Sequence, residues 1–208
     1  MARGRSADYD LNRETIVRTA TRLFAQQGYP GTSMSDLARA CGISKPLLYH
    51  YVSDKYQLLR EITEGHVTRL EMLVGEVQAQ KLAPAPRLRE LIRRFVHEYA
   101  QARHDHGVLT QDVKFLETRD RNRVLRKERA VVSAFAATIA EARPDLATAA
   151  LDKPLTMLLF GMINWMFTWL RPDGTLGHDD MAPIVADLFL GGLGAVQPPV
   201  TLSVEAPN

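Results

Sequence analysis

The chain has 208 residues, 46% hydrophobic and 24% charged, with a net charge of +2, which is ordinary for a globular protein of one large or two small domains. Its single cysteine, Cys41, excludes an intrachain disulfide and fits a reducing cytoplasm, and the first ten residues lack the apolar segment of a signal peptide. The longest apolar run, Leu155–Leu170, is shorter than the about 20 residues of a membrane span, so we expect a buried helix and no membrane partner.

Basic residues concentrate near the N-terminus. Residues 1–60 contain nine Lys or Arg and five Asp or Glu, whereas the other 148 residues contain 17 and 19. Residues 1–10 are expected to form a flexible basic arm, in which Arg3 and Arg5 either enter a minor groove of DNA or remain an untethered charged terminus. A first helix is predicted from about Asn12 to Gln27, ended by Gly28.

Residues 33–55 are predicted to form two short helices joined by a tight turn. Ser33 and Asp36 make a capping pair at the start of the first helix, and Gly42 ends it because glycine accepts a left-handed backbone. Ser44 caps the second helix, which runs from Lys45–Val52. This pattern predicts a helix-turn-helix whose second helix lies in the major groove of DNA.

The detailed pattern of this region carries a resemblance to a known family. Over about residues 11–71 the chain resembles the N-terminal domain of TetR-type (tetracycline-repressor-like) transcriptional regulators. It departs from that pattern at Val52, where the family usually has phenylalanine, and at Pro46, which lies in the first turn of the second helix. The matching residues are Gly28, Tyr29, Gly31-Thr32-Ser33, Asp36-Leu37-Ala38, Gly42-Ile43-Ser44, Leu48-Tyr49-His50-Tyr51 and Lys55.

The predicted DNA contacts come from the second helix of the motif and from two helix starts beside it. Leu47 could touch a thymine methyl group, while Lys45 and His50 could donate to base edges or phosphates. The resemblance implies a phosphate contact for Lys55, and for Tyr51 either a phosphate contact or core packing; Leu48 is assigned to the core. The full predicted set is Thr32, Ser33, Ser44, Lys45, Leu47, Tyr49, His50, Tyr51 and Lys55.

The rest of the chain is also predicted to be helical. Strand-like alternation is absent from the sequence, so we predict an all-α fold of about nine helices, with a three-helix DNA-binding head and a larger helical body. The domains expected from the resemblance are the head at 11–71, an effector-binding and dimerisation body at 72–196, and a loose tail at 197–208. The remaining six helices are predicted from Ser53 to about Gln80, Arg87–Arg103, Val108–Glu117, Arg119–Ala142, Pro154–Leu170 and His178 to about Leu193.

The last two helices are the candidates for a pocket and a dimer interface. The resemblance implies that the last two helices of two copies form a four-helix interface; we expect Met181, Ile184, Val185, Leu188 and Phe189 to lie there. The block at residues 159–174 resembles regulators of fatty-acid, acyl-CoA and steroid or aromatic-acid breakdown, which suggests a long apolar effector. The predicted pocket residues, for which core packing is the alternative, are Phe160, Asn164, Trp165, Phe167 and Trp169.

Two further features have competing interpretations. The run of six basic residues from Arg119–Arg129 could bind the phosphates of coenzyme A, or it could be an ordinary solvated helix face. His97, His104 and His106 suggest a metal site, but their spacing fits a ligand set poorly. We therefore predict no metal and no cofactor.

The preferred function is a ligand-responsive transcriptional regulator, a repressor that binds a palindromic operator as a homodimer and is released by a small apolar effector. An activator, or a regulator without a ligand, is the alternative. An acyl-thioester carrier or enzyme is more distant, because the sequence contains no nucleophile elbow, phosphate loop or cofactor fingerprint.

Overall fold

The fold is all-α, as predicted. The computed structural model describes residues 7–171 and 174–198, without the side chains of residues 7, 8 and 167. The described residues contain ten α-helices, one more than predicted, and no strand. In chain order the helices are α1 Ala7–Gly31, α2 Met34–Ala40, α3 Lys45–Tyr51, α4 Lys55–Ala79, α5 Pro84–Gln101, α6 Arg103–Asp112, a 3-10 helix Val113–Phe115, α7 Thr118–Ala142, α8 Pro144–Thr148, α9 Asp152–Trp169 and α10 His178–Ala195.

The helix-turn-helix of α2 and α3 forms because each helix start is capped by its own sequence. Ser33 and Asp36 cap α2 reciprocally, each side chain bonding the other's backbone N–H at 3.1 Å. Gly42 takes a φ of 67° in the turn, which is a left-handed conformation that favours glycine. Ser44 Oγ accepts the backbone N–H of Leu47 at 3.3 Å and so caps α3.

The starts of α1 and α4 differ from the predictions. Helix α1 begins at Ala7, so the predicted flexible arm is wrong for residues 7–10; Arg3 and Arg5 lie outside the described residues. Gly28 does interrupt α1, with a φ of 75°. The cap of α4 is Asp54 and not Ser53, because Asp54 Oδ1 accepts the backbone N–H of Gln57 at 2.7 Å.

Two predicted interruptions in the second half of the chain also need correction. The predicted helices Arg87–Arg103 and Val108–Glu117 leave a break between them, but residues 105–107 lie inside α6. His106 is 3% exposed, so burial of this side chain outweighs the weak helix propensity of its neighbour Gly107. No helix was predicted between Ala142 and Pro154, yet residues 144–148 form the short helix α8, where Pro144 occupies a first-turn position that needs no backbone N–H donor.

The chain divides into two compact units. The head unit contains the residues up to Glu71 together with Gln101–Glu128, and the body unit contains Met72–Ala100 together with the residues from Arg129 onward. The predicted boundary between 71 and 72 therefore does not separate the whole head from the whole body, because α6 and the first half of α7 belong with the helix-turn-helix.

The core of the head unit joins its N-terminal helices to this later segment. Ile16, Ala20, Leu23 and Phe24, which share one face of α1, are all buried. They belong to one cluster of buried apolar side chains. Its other buried members are Leu37, Ala38, Leu48, Val52, Leu58, Leu59, Ile62, Val67, Val108, Leu109, Leu116 and Val124.

The core of the body unit is built around aromatic side chains. The ring centroids of Phe95 and Phe160 each lie 4.9 Å from that of Phe135. The Phe95 ring meets it edge-on and the Phe160 ring is tilted, and aromatic pairs prefer such arrangements to a face-to-face stack. The inner face of α5 also belongs to this core, and its buried residues are Leu88, Leu91, Ile92, Phe95, Val96 and Tyr99. Among the described residues, no helix is both long and apolar enough to cross a membrane.

Candidate functional site

Helix α3 presents a mixed polar and apolar surface on the head unit. Leu47 and Tyr49 are 43% and 47% exposed, and Lys45 and His50 are exposed as well. Leu48, on the opposite side, is fully buried, which confirms its assignment to the core. The exposed side chains offer the cation, hydrogen-bonding groups and apolar contact that reading of a DNA major groove uses.

Tyr51 is half-buried at the end of α3. Its hydroxyl accepts a hydrogen bond from Asn12 Nδ2 at 3.2 Å, and its ring lies 4.8 Å from that of Tyr9 and 5.6 Å from that of His50. These contacts hold the end of α3 against α1. The Tyr51 ring therefore packs against α1, and its hydroxyl lies at the surface between α1 and α3.

Lys55 begins α4 and is held against the turn between α1 and α2. This turn starts at the kink of α1 at Gly28 and ends at Ser33. Its Nζ donates to the carbonyl oxygens of Tyr29 at 3.0 Å and Thr32 at 3.1 Å, and it lies 4.4 Å from the centre of the Tyr29 ring. An ammonium group has three N–H donors. Two serve these carbonyls, which leaves one for a phosphate.

The one threonine and two serines predicted to contact DNA all have roles within the protein. Thr32 is only 1% exposed and its hydroxyl donates to the carbonyl of Gly28 at 3.0 Å, so its side chain is not a surface donor. Ser33 and Ser44 are exposed, but each hydroxyl accepts a backbone N–H as a helix cap. Burial removes Thr32 from the set of predicted side-chain contacts, and capping limits what the two serines can offer to DNA.

Sequence reasoning missed a carboxylate that holds the same turn. Asp112, at the end of α6, is 3% exposed, and its Oδ2 accepts the backbone N–H of Tyr29 at 3.0 Å. Burial raises the pKa of this carboxyl group, while the Tyr29 N–H and the charge of Lys114 oppose the rise. The available signal was its helical spacing: Asp112 falls on the same face as the buried Val108 and Leu109.

A buried histidine pair lies deeper in the head unit. His66 Nε2 of α4 is 3.1 Å from His106 Nδ1 of α6, and an Arg69 guanidinium nitrogen is 3.3 Å from His66 Nδ1. Because a guanidinium can only donate, His66 Nδ1 must accept and its Nε2–H donates to His106. Burial, then the neighbouring His106 and Arg69, lower the pKa of His66 to about 3, so the ring is neutral near pH 7.

The residues predicted to line one effector pocket do not face one cavity. Phe160 is 7% exposed within the aromatic core of the body unit, whereas Trp165 and Trp169 are 67% and 51% exposed. Residues five and nine positions after Phe160 on a helix lie on other faces of it, which explains the separation. Asn164 is half-buried, and its Oδ1 has no hydrogen-bond partner in the described part of the chain; the side chain of Phe167 lies outside it.

The two tryptophans instead line an open apolar groove of about 430 Å³ between α9 and α10. Of the predicted dimer residues, all but Phe189 line this groove, and Ile184 and Leu188 are exposed. Val185 and Phe189 are only 4% and 8% exposed. The groove is lined by Gly161, Met162, Trp165, Met166, Trp169, Met181, Ile184, Val185 and Leu188.

The other polar features contact carboxylates within their own units. In the basic run, Arg123 and Lys127 pair with the α4 carboxylates Glu64 and Glu71, at 2.7 and 2.5 Å. His97 pairs with Asp179 at 3.0 Å. Within residues 7–171 and 174–198, no three His, Cys, Asp or Glu residues lie close enough together to hold a metal ion.

Cys41 lies beside a small cavity of about 80 Å³ between α1 and the helix-turn-helix. Its thiol is half-buried. Burial raises the pKa of the thiol, against weaker opposing effects of Thr19 and Arg22, and a raised pKa leaves less of the reactive thiolate.

Comparison with family models matches both parts of the chain. Residues 16–62 match "Bacterial regulatory proteins, tetR family", and residues 81–193 match "Tetracyclin repressor-like, C-terminal domain". The second match alone covers more than half of the 208 residues.

Individual proteins are similar over most of the chain. The HTH-type transcriptional repressor KstR2 of Mycolicibacterium smegmatis is 25% identical over 194 residues, covering 87% of this chain and 90% of KstR2. A TetR-family regulator from Bordetella parapertussis has a crystal structure that superposes with a TM-score of 0.83 at 35% identity, covering 89% of this chain and 97% of that one. AibR in complex with isovaleryl coenzyme A and operator DNA superposes with a TM-score of 0.71 at 26% identity, covering 90% and 99%.

Proposed function

We propose, from the premise that this chain belongs to the tetR family of bacterial regulatory proteins, that it is a repressor that binds a near-palindromic operator as a homodimer and is released by an acyl-coenzyme A effector. The protein is a DNA-binding transcriptional regulator and not an enzyme. The proposed release follows from linkage: an effector lowers operator affinity only if it binds the DNA-free state more tightly. We also propose a cytoplasmic location, because that is where a bacterial operator is.

The observation that carries the proposal is the surface of α3. Lys45, Leu47, Tyr49 and His50 are exposed together on a helix whose opposite side is anchored by the buried Leu48. Lys55 adds a cation at the start of the next helix, where free backbone N–H groups also favour a phosphate. In this proposal the side chains of α3 contact the edges of the DNA bases, and Lys55 contacts the phosphate backbone of the DNA.

The groove between α9 and α10 supports the homodimer. Trp165 and Leu188, which line the groove, are each at least 65% exposed, and large contiguous apolar surfaces on globular proteins mark interaction sites. A second copy is the proposed occupant, because one short recognition helix binds DNA weakly and a two-fold dimer reads two half-sites about 34–36 Å apart or a multiple of that.

The effector class is proposed from AibR, which was solved with isovaleryl coenzyme A and operator DNA. Within the body unit, Asn164 supports a ligand site on α9, because its Oδ1 is a buried acceptor with no partner among the described residues. A ligand hydroxyl or N–H group could supply that hydrogen bond. Phe160 remains a proposed apolar neighbour, while Trp165 and Trp169 are reassigned to the proposed dimer surface.

The first experiment is selection of randomised duplex DNA by the purified full-length protein, followed by sequencing of the bound fraction. A two-fold-symmetric consensus is expected. The absence of any enriched sequence at low salt would contradict specific DNA recognition.

The second experiment adds isovaleryl coenzyme A to the complex with the selected duplex, and measures release by fluorescence anisotropy. We expect release from the wild type, and weaker release from Asn164→Leu at unchanged DNA affinity. Thr168→Val, an exposed change on the same helix, is the matched control. An effector-insensitive wild type would contradict the acyl-coenzyme A proposal and leave DNA recognition standing.

A further inference from the structure

The turn between α1 and α2 is where the proposed phosphate contact is anchored. Gly28 interrupts α1 with φ 75° and ψ 153°, so the chain changes direction immediately before Tyr29. The regular α-helical ladder of hydrogen bonds cannot continue through such a residue. The backbone N–H of Tyr29 therefore needs a different acceptor if it is not exposed to water.

That acceptor comes from α6, 83 positions later in the chain. Asp112 Oδ2 accepts the Tyr29 N–H at 3.0 Å. The side chain is 3% exposed and shares its helix face with the buried Val108 and Leu109, where an apolar residue would pack without the cost of burying a carboxylate. The hydrogen bond to the turn gives this buried polar group its partner.

The carbonyl side of the same turn holds Lys55. Tyr29 O and Thr32 O accept from Lys55 Nζ at 3.0 and 3.1 Å, and the Tyr29 ring lies 4.4 Å below the ammonium. The position of this cation is therefore set by the backbone of the turn. Any shift of Tyr29 moves two of the three groups that hold the ammonium in place.

The residue after Lys55 is tied to the same later segment of the chain. The Tyr56 hydroxyl accepts the backbone N–H of Glu117 at 3.0 Å and donates to Asp120 Oδ2 at 2.9 Å. Asp120 is 8% exposed. Residues 112–120 thus hold the start of α4 in two ways. Asp112 acts through the backbone of Tyr29, and Glu117 and Asp120 bond directly to the Tyr56 hydroxyl.

We propose that Asp112 is a positioning residue for DNA binding: by holding the Tyr29 backbone it fixes the turn that orients Lys55 towards a phosphate. This inference rests on the proposed DNA-binding function. Asp112 touches no DNA in this scheme; it acts through the backbone of Tyr29. The role requires a hydrogen-bond acceptor at this position and does not require its charge.

The test compares Lys55→Ala, Asp112→Ala and Asp112→Asn on the duplex recovered by selection, with affinity measured over a range of salt concentrations. Lys55→Ala is expected to lose one phosphate contact, which lowers affinity about tenfold and the salt slope by about one. Asp112→Ala should bind within about threefold of the affinity of Lys55→Ala, and its salt slope should also fall by about one. Asp112→Asn keeps an acceptor oxygen and should stay within about threefold of the wild type.

Two controls separate positioning from general damage. Gln111→Ala changes an exposed neighbour on α6 and should leave both affinity and salt slope unchanged. The double variant Lys55→Ala with Asp112→Ala should bind no more than about threefold more weakly than Lys55→Ala alone, because both changes remove the same phosphate contact.

Several results would overturn the inference. Asp112→Ala with wild-type affinity, a weakened Asp112→Ala with the wild-type salt slope, or additive losses in the double variant would each do so. Should Asp112→Ala fail to fold, amide exchange by NMR carries the test: the Tyr29 amide must be protected in the wild type and in Asp112→Asn. A wild-type protein that selects no duplex would count against the proposed function itself.

Discussion

The two units of this molecule differ in where they place polar and apolar groups. In the described residues, every buried carboxylate and imidazole lies in the head unit: Asp112, Asp120, His66 and His106. The buried polar side chains of the body unit are Thr138 and Thr156, whose hydroxyls donate to carbonyls of their own helices. Buried hydrogen bonds between helices thus add to the apolar core of the head unit, whereas the buried hydroxyls of the body unit bond within their own helices.

The surfaces show the opposite distribution. Large exposed apolar side chains are concentrated on the last helices of the body unit, including Trp165, Trp169, Ile184 and Leu188. In the head unit such side chains include Leu47 and Tyr49, which lie on α3. Buried hydrogen bonds therefore fix the relative positions of helices in the head unit. The body unit instead exposes an apolar surface that a partner would cover.

The largest expected effect tests whether aromatic packing dominates the body unit. Phe135→Ala should lower the free energy of unfolding by about 3–5 kcal/mol, because it removes the ring that contacts both Phe95 and Phe160. Phe115→Ala in the head unit, 39% exposed, is the control and should cost clearly less. Urea unfolding measures the free energy of unfolding of both variants, and equal losses would contradict the dominant role of aromatic packing in the body unit.

The second prediction tests the exposed groove. If the proposed dimer forms through this groove, Leu188→Arg should be a monomer in sedimentation equilibrium and should bind the operator at least about a hundredfold more weakly, since the two half-sites are no longer bound together. Met72→Arg changes a residue of similar exposure, 60% against 65%, that does not line the groove. It should remain dimeric; a dimeric Leu188→Arg would show that the interface lies elsewhere.

The third prediction concerns the buried polar groups of the head unit. The pKa of His66 is lowered from 6.5 to about 3, so between these values the unfolded chain binds a proton that the folded chain does not. Stability should therefore fall on acidification through this window, by at most about 1.4 kcal/mol per pH unit from this group. His66→Phe should flatten the dependence in urea unfolding, and an unchanged slope would exclude His66 as its source.

The smallest expected effect tests the cap of α3. Ser44→Ala should cost about 1 kcal/mol, because it leaves the Leu47 N–H without its acceptor at the helix start. Ser53→Ala is the matched control, since the Ser53 hydroxyl donates to Gln57 and caps no backbone N–H; it should cost below about 0.5 kcal/mol. Equal losses in thermal unfolding would contradict this assignment of the caps.

The helix-turn-helix could be predicted because its determinants are local. Ser33, Asp36, Gly42 and Ser44 act within four residues of their partners, and the structure reproduces each cap and the left-handed turn. The burial of Leu48, which was assigned to the core from its place in the motif, is confirmed. The break expected inside α6 was wrong because the burial of His106 depends on α4, which is distant in sequence.

The candidate site was predicted only in part for the same reason. Lys55 was found through the resemblance, but its anchoring by the Tyr29 and Thr32 carbonyls, and the support of that turn by Asp112, join residues 23 to 83 positions apart. In the body unit, the composition of α9 indicated an apolar site. It could not show that Phe160 faces the core while Trp165 and Trp169 face outward.

By itself, the sequence determined the helical class, the caps and turn of the DNA-reading motif, and the family, because these depend on residue types at short fixed spacings. Only the tertiary structure decided which segment completes the head unit and which face of α9 is exposed. It also decided that a buried carboxylate of α6 holds the turn beside Lys55. Such contacts depend on which helices pack together, and burial changes both the hydrogen-bond needs and the proton affinity of the groups involved.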